Sequence, residues 1–352
     1  MMEWIKERML LTPKACEAVG NSIRDAKVSI CFPLEYKTAV LAYELSKFCE
    51  LRVTKFDEYT TKPSAVEWLK DKGVEILSKD ECLTADYYMD CVAMLTGKAR
   101  KQGLKVGGVI ELTRSGVERL KSMNNFTKGI SLDDSNIKGL GENRHGTAFG
   151  LLDALVRLNL YFPEKDAFVI GFGRVGEGCA EILRKLGCNV SVYDIDEIKC
   201  AIAEYSGYRV KDLQEGLSSS DIIVTATGRD SVISDFSTIK NGAILCNMGA
   251  GRYEIDVRRL KDYRKITINE HITKYERDNY FYVLCDSMSV NLTMANGTPV
   301  EIMDKTFALS VFALEYIVKN EFEGLIKTPK EVELKFLRFM KDVQRKQKQG
   351  KN

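Results

Sequence analysis

Phe168-Val-Ile-Gly171-Phe-Gly173-Arg174-Val175-Gly176-Glu-Gly178 is the stretch whose reading decides the fold. Phe168, Val169 and Ile170 read as a short apolar strand. Gly171, Gly173 and Gly176 follow with the spacing G-x-G-x-x-G. Cys179, Ile182, Leu183 and Leu186 then recur at helical spacing. The first glycine permits a tight turn, the second lets backbone approach a pyrophosphate, and the third lets helix pack on strand. A helix starting there points N–H groups and a positive dipole end at phosphate. A second strand, Asn189-Val-Ser-Val-Tyr193, ends in Asp194, an acid placed to bond both adenine-ribose hydroxyls. The expected ligand is a dinucleotide or an adenosyl compound. An acid at Asp194 favours NAD over NADP, because it repels a 2′-phosphate.

Composition bounds the rest. The chain has 352 residues, which suits two domains, and 45% apolar content supports sizeable cores. Fifty-two basic against 50 acidic residues imply no nucleic-acid partner. The N-terminus carries Glu3, Lys6, Glu7 and Arg8, so no signal peptide is expected, and no run approaches a membrane span. Ten cysteines lie singly, without C-x-x-C spacing. They read as thiols of a reducing cytoplasm. With two histidines, a zinc site is not expected.

Strand and helix patterns alternate from the start to about residue 145. Val28 to Phe32, Leu51 to Thr54, Val74 to Leu77, Met89 to Leu95 and Val106 to Ile110 read as strands. Thr38 to Phe48 and Ala65 to Lys72 read as helices. From residue 148 a second series has strands at 168–170, 189–193, 221–225, 243–247, 266–268 and 280–285. Gly216 and Ser218 to Ser220 read as a polar turn. Long helices are expected at Glu301 to Val318 and from Pro329 to about Arg345. The fold class is therefore α/β, with two Rossmann-like doubly wound parallel-sheet domains and C-terminal helices. Domain spans are expected at 1–147, 148–300 and 301–352, the last packing back on the first domain or on a partner.

Other motifs fall at strand ends. Thr225-Ala-Thr227-Gly228 offers hydroxyls and backbone to a ribose or pyrophosphate, or is a simple turn. Asn247 ends a strand before Gly249 and Gly251, as a ligand contact or a capping amide. Asn291 offers the donor and acceptor that a nicotinamide carboxamide needs.

These motifs resemble S-adenosylhomocysteine hydrolase from about Cys31 to Tyr316. The family's G-Y-G-D-V-G-K-G is similar to Gly171 to Gly178, its V-T-T-T-G to Val224 to Gly228, and its C-N-I-G-H to Cys246 to Ala250. Its V-N-L-x-x-A-x-G-H-P-S-F resembles Val290 to Glu301. Its N-D-S-x-x-K-x-x-x-D-N resembles Asp133 to Asn143, and its C-L-H-M-T-x-x-T-A resembles Cys31 to Ala39. The resemblance implies a two-domain fold, a tightly held NAD and a homodimer or homotetramer. It implies cofactor contacts at Gly171, Gly173, Arg174, Val175, Gly176, Asp194, Thr225, Thr227, Gly228, Asn247 and Asn291, with Asn143 and Thr113. It implies a small nucleoside-like substrate near Glu35, Thr38, Cys91, Glu111 and Thr298.

The departures from that pattern bear on function. Lys138 and Asn143 match the family's oxidation apparatus, and Glu142 replaces its aspartate. Family histidines stand as Pro33, Ala250 and Thr298. The family's essential aspartate aligns with Cys91, and the cysteine beside the nicotinamide with Thr147. The C-terminal lysine-and-tyrosine tail is not matched, which implies looser NAD binding. General acid–base steps are each worth roughly 10²–10⁴-fold. Hydrolysis is therefore expected to be lost unless new groups replace the old ones. His145, three residues after Glu142, is a candidate replacement, whereas His271 reads as a loop residue. Arg114 suits an anionic group. The expected activity is NAD-dependent oxidation of a secondary hydroxyl, with Lys138, Glu142 and His145 as catalytic candidates. That oxidation is either net or transient, serving elimination or epimerisation. Surviving hydrolysis, methyl transfer from S-adenosylmethionine and a non-catalytic binding subunit remain the alternatives.

Overall fold

A computed structural model describes residues 1–251 and 253–349. The chain folds into two compact units. One comprises Met1–Gly139 with the segment from Val300 onward, and the other is Leu140–Pro299.

The first unit holds a seven-stranded sheet with every pair parallel. Its order is Gly324–Lys327, Phe126–Ser131, Val106–Glu111, Tyr87–Asp90, Lys27–Cys31, Glu50–Thr54 and Ile76–Leu77. Val28, Ile30 and Cys31 are buried, as a strand covered on both faces requires. The strand order reverses between Lys27–Cys31 and Tyr87–Asp90, and at such a switch point the strand ends leave a crevice for a ligand. Two helices finish the unit. Val300–Lys319 is buried for most of its length, and Lys330–Gln349 is amphipathic, burying Val332, Phe336 and Val343. Asp304 of the former accepts from the N–H groups of Leu10, Leu11 and Thr12, each at 2.8 Å. It thereby caps the helix Leu11–Ile23, whose own N-cap, Leu10, has no capping side chain.

Two expectations fail here. The strand expected over Met89 to Leu95 stops at Asp90, and a helix starts at Met94. The Asp90 carboxylate accepts from the N–H groups of Cys91, Met94, Leu95 and Thr96, so the side chain ends the strand. The strand Phe126–Ser131 is absent from the expected set. It carries Lys128 and Gly129 between its apolar residues, which hides the pattern. Lys128 is buried and its ammonium donates to the Asn320 carbonyl.

The second unit holds eight strands in the order Arg264–Asn269, Ile272–Glu276, Tyr280–Leu284, Ala243–Asn247, Ile222–Thr225, Asp166–Ile170, Asn189–Tyr193 and Arg209–Val210. Six are parallel neighbours, and the first three form an antiparallel meander. The 266–268 segment is thus an exposed edge strand returning through Glu270 and His271. Asn269 Oδ1 accepts from the His271 and Ile272 N–H groups, a side-chain turn that lacks the usual glycine signal. The polar turn expected at Gly216 is instead the helix Leu213–Ser219. A β-carbon on Gly216 would stand 2.2 Å from the Phe168 ring, so this glycine serves helix–sheet packing. No helix among the described residues is long and apolar enough to cross a membrane. The ten cysteines are all free thiols, eight of them buried.

Candidate functional site

The switch point of the second unit lies between Asp166–Ile170 and Ile222–Thr225, so their following loops meet. The glycine turn sits there. Gly171 has φ +96°, and a β-carbon on it would stand 2.8 Å from the Ala226 carbonyl oxygen. The turn is therefore packed against the Thr225-to-Gly228 loop. Gly176 and Gly178 are equally constrained, with β-carbons that would fall 1.7 Å from the Gly171 oxygen and 1.8 Å from the Arg144 oxygen. Gly173 is different. It opens the helix Arg174–Lys185 without a side-chain cap, and a β-carbon there would meet nothing within 4 Å. An uncapped helix start facing open space, with Arg174 and Val175 half-buried in its first turn, fits a pyrophosphate.

Neighbouring residues shape this cradle more than they line it. Thr225 and Asn247 are fully buried at adjacent strand ends, 3.3 Å apart through Thr225 Oγ1 and Asn247 Oδ1. Asn247 Nδ2 donates to the carbonyls of Gly251 and Ser287, and Oδ1 accepts from Gly249 N–H. Its amide is used within the protein, as a capping amide is. Glu254, which sequence reading does not single out, is also fully buried. It accepts from Thr227 N–H and Oγ1–H, each at 2.9 Å, and from Gly228 N–H at 2.7 Å. Burial pushes this carboxyl up, while those donors act the other way. Glu254 therefore holds the Thr227–Gly228 loop in place. The sequence signal is an acid shortly after the Asn247 turn. Asn291 is buried in the short helix Val290–Thr293, where its Oδ1 accepts from Ser289 Oγ–H at 2.6 Å. A β-carbon on Gly150 would press on Asn291, so the helix Thr147–Val156 fixes it. Thr298 is buried in this unit as well, and Ala250 is exposed.

Asp194 lies at the end of its strand as expected, but its carboxylate is engaged. Oδ2 accepts from Phe172 N–H in the glycine turn at 2.7 Å, and Oδ1 from Asp196 N–H at 3.0 Å. The Lys199 ammonium stands 3.4 Å from Oδ2. Glu142, Asn143 and His145 follow in the π-helical segment Gly139–Gly146. Glu142 and Asn143 are half-buried and His145 is exposed. Such segments are frequent at functional sites.

In the first unit, the carboxyl edge of the sheet carries several buried charges. Asp90 and Glu111 are register partners at adjacent strand ends, and both are fully buried. Glu111 accepts from Val92, Ala93 and Thr113 N–H groups and from Thr113 Oγ1–H. Burial, then the Asp90 charge, pushes Glu111 up to about 8. Together the two acids hold a loop in which Val92 and Ala93 have φ +58° and +49°, a conformation costly for residues with a β-carbon. Cys91 in that loop is buried, and its thiol is raised by burial and by Glu111. Thr113, expected as a cofactor contact, caps the helix Arg114–Leu120 through Gly116 N–H.

Lys138 is 3% exposed, and Asp133 Oδ1 stands 3.4 Å from its ammonium. The other Asp133 oxygen takes Arg114 Nε–H at 2.8 Å, and Arg114 also meets Asp134 at 2.9 Å. Arg114 is thus paired with these two aspartates, and more loosely with Glu118 at 3.9 Å. Asp133 takes the place of an asparagine in the motif quoted above, so its role follows from a residue type already visible. Glu35 caps the helix Tyr36–Ser46 through the Lys37 and Thr38 N–H groups and pairs with the Lys37 ammonium at 2.8 Å. All of Glu35, Lys37 and Thr38 are buried. Pro33 is half-buried before them.

Residues 143–297 match the model of the S-adenosyl-L-homocysteine hydrolase NAD binding domain. Adenosylhomocysteinase of Thermotoga maritima is 31% identical over 91% of this chain and 87% of its own length. S-inosyl-L-homocysteine hydrolase of Methanopyrus kandleri is 30% identical over 95% and 87%. Among solved structures, a dipicolinate synthase polypeptide from Bacillus halodurans superposes with a TM-score of 0.52 at 12% identity. It covers 84% of this chain and 99% of its own, a likeness of fold. The chain belongs to the S-adenosyl-L-homocysteine hydrolase family, an enzyme family whose NAD-binding domain it carries.

Proposed function

We propose that the protein oxidises a secondary hydroxyl of a small nucleoside-like substrate, using NAD, without the elimination and hydration that complete hydrolysis. The supporting observation is a contrast between two groups of positions. Lys138 is kept, buried, and set against the Asp133 carboxylate at the carboxyl edge of its sheet. The positions that carry histidines or an essential aspartate in the family pattern hold Pro33, Ala250, Thr298 and Cys91. Proline and alanine have no side-chain proton to give or take, and burial keeps the Cys91 thiol protonated.

NAD, when bound, supplies the hydride acceptor. The residues of this chain do the rest. Gly171, Gly173 and Gly176 admit the pyrophosphate, and Glu254 holds the Thr227–Gly228 loop. In its neutral amine form Lys138 takes the hydroxyl proton and becomes an ammonium, with the Asp133 carboxylate holding it in place. Glu142 and His145 are the next acid–base candidates along the chain. The relatives' names point to a nucleoside carrying a thioether, adenosyl or inosyl, as the substrate class. Ten free thiols fit a reducing cytoplasm. Phe149, Val156 and Tyr161 are large, exposed apolar side chains that fit a homodimer or homotetramer.

The test supplies the NAD-loaded protein with adenosine, inosine and their homocysteine thioethers. NADH absorbance and free thiol are followed together. NADH without thiol supports the proposal. Thiol release at the rate of an ordinary family member favours the second reading, a hydrolase with relocated acid–base groups. That reading draws its support from identity to named hydrolases over most of the chain. No NADH with any of these compounds overturns the first reading.

A further inference from the structure

Asn291 is tethered by a residue two positions earlier. Ser289 is the N-cap of the short helix Val290–Thr293, a place where a serine hydroxyl ordinarily accepts from a backbone N–H of the first turn. Here its side chain makes no such cap. The hydroxyl donates instead to Asn291 Oδ1 at 2.6 Å, and Asn291 is only 7% exposed. A bond of that length holds the plane of the amide. An amide carries two donors on nitrogen and two lone pairs on oxygen. Among the described residues none accepts from Asn291 Nδ2. Its two donors and one Oδ1 lone pair are left for a ligand.

Ser289 is in turn held by the sheet. It pairs in parallel with Asn247, the last residue of the strand Ala243–Asn247. Asn247 Nδ2 donates to the Ser287 carbonyl at 2.8 Å. Just before, Cys285, Asp286 and Ser287 have φ of +53°, +51° and +65°. Left-handed backbone is costly for residues with β-carbons, and it persists where the surroundings over-determine it, as at ligand clamps. Cys285 N–H is fixed on the His271 carbonyl and the Asn291 carbonyl on Gly297 N–H, each at 2.7 Å. The segment from 285 to 291 is thus pinned at both ends. A dinucleotide crosses the switch point with its adenosine half on one side and its nicotinamide half on the other. Asp194 marks the adenosine side, so Asn247, Ser289 and Asn291 belong to the nicotinamide side.

Building on the NAD-binding reading, we infer that Ser289 is a positioning residue for the nicotinamide end of the cofactor, its hydroxyl holding the Asn291 amide ready to bond the carboxamide. The tether is made before NAD arrives, so binding has one side chain fewer to order. Ser289 acts only through Asn291. The pyrophosphate and adenosine, held at the glycine turn and the Asp194 strand, gain nothing from it.

Calorimetric titration of the full chain with NAD and with ADP-ribose, which lacks the nicotinamide, tests this. Ser289→Ala should weaken NAD by about three- to tenfold, the worth of one ordinary hydrogen bond, and ADP-ribose by less than about twofold. Retained ADP-ribose binding also shows that the variant is folded. Ser289→Thr keeps the hydroxyl and should restore NAD affinity to within about twofold of the unmodified protein. In an Asn291→Ala background, Ser289→Ala should have no further effect on NAD. Equal losses for both ligands in Ser289→Ala overturn the inference, since they mark a general structural role. So does unchanged NAD affinity, and so does a loss that persists undiminished in the Asn291→Ala background. Each of these results leaves NAD binding by the unmodified protein intact. Failure of the unmodified protein to bind NAD is a separate outcome, and it overturns the cofactor reading on which the inference rests.

Discussion

Gly176 sits so close to Gly171 that a β-carbon on it would stand 1.7 Å from the Gly171 carbonyl oxygen. Helix and turn meet backbone to backbone, and neither can retreat without moving its strand. Three residues away, Gly173 faces open space. The two glycines therefore separate folding from binding. Gly176→Ala should destabilise the protein by at least about 2 kcal/mol, since a backbone atom cannot rotate aside. Gly173→Val should cost only about 1 kcal/mol, the loss of a favoured N-cap residue, because its φ of −86° suits any residue and its surroundings are empty. It should nevertheless stop NAD binding, since a side chain would occupy the pyrophosphate's place. Thermal unfolding and NAD titration of both variants check the pair. A Gly173→Val protein that binds NAD normally would remove the pyrophosphate from this turn.

The hydrolase prediction is negative. Each general acid or base is worth roughly 10²–10⁴-fold, and at least two such positions, Pro33 and Ala250, lack a titratable group. Release of homocysteine from S-adenosylhomocysteine should therefore be at least about 10⁴-fold slower than in a relative with the full set. A thiol reagent reads this directly. Ordinary turnover would show that other residues have taken over, with His145 and Glu35 the first to replace.

Lys138 carries the oxidation proposal. Hydride loss from an alcohol requires a group to receive the hydroxyl proton. Lys138→Met should leave NAD affinity within about threefold while NADH formation falls by at least about 10²-fold. Lys138→Arg should fail as well, because a guanidinium does not give up its proton. Asp133→Asn should have a smaller effect and should shift the pH profile of NADH formation, since it removes the carboxylate 3.4 Å from the ammonium. Undiminished NADH formation by Lys138→Met would place the chemistry elsewhere.

Legibility follows the range of the interaction. The glycine turn, the Asp194 strand and the long C-terminal helices are readable because each is specified within a few residues. Glycine at 176 is a local demand, visible as spacing. Capping by Asp304 is not readable, since it joins a helix to residues about 290 positions earlier. The ends of the Asp90 strand and the Thr227 loop are set by buried carboxylates whose targets lie across a turn or another strand. A sequence shows those acids but not what they accept from. Lys128 hides a strand because burial of its ammonium rests on the Asn320 carbonyl, far away in the chain. Arg114 is legible as a charge in an unusual place, yet its close partners, Asp133 and Asp134, come only with the fold, unlike the i,i+4 pair with Glu118.

Glu111 gives the fold a pH dependence whose sign can be worked out. Burial and the neighbouring Asp90 charge raise it from an ordinary carboxyl value of 4.5 to about 8 in the folded protein. The folded state thus holds this proton more tightly than the unfolded chain does. A raised carboxyl contributes its stability fully below about 4.5, loses it steadily as pH rises toward 8, and contributes none above. Chemical denaturation at a series of pH values should show stability falling across that window. Glu111→Gln removes the titration. Its amide nitrogen would face a backbone donor, leaving one of the Val92, Ala93 or Thr113 N–H groups without an acceptor, at a cost of about 1–3 kcal/mol. At pH 5 the variant should therefore be clearly the weaker protein. As pH rises to 9 the gap should narrow, because the unmodified protein must then bury the Glu111 charge beside Asp90, itself raised by burial, and the variant need not. Parallel stability curves for the two proteins across this range would mean that Glu111 is already ionised at pH 5, held there by its four donors.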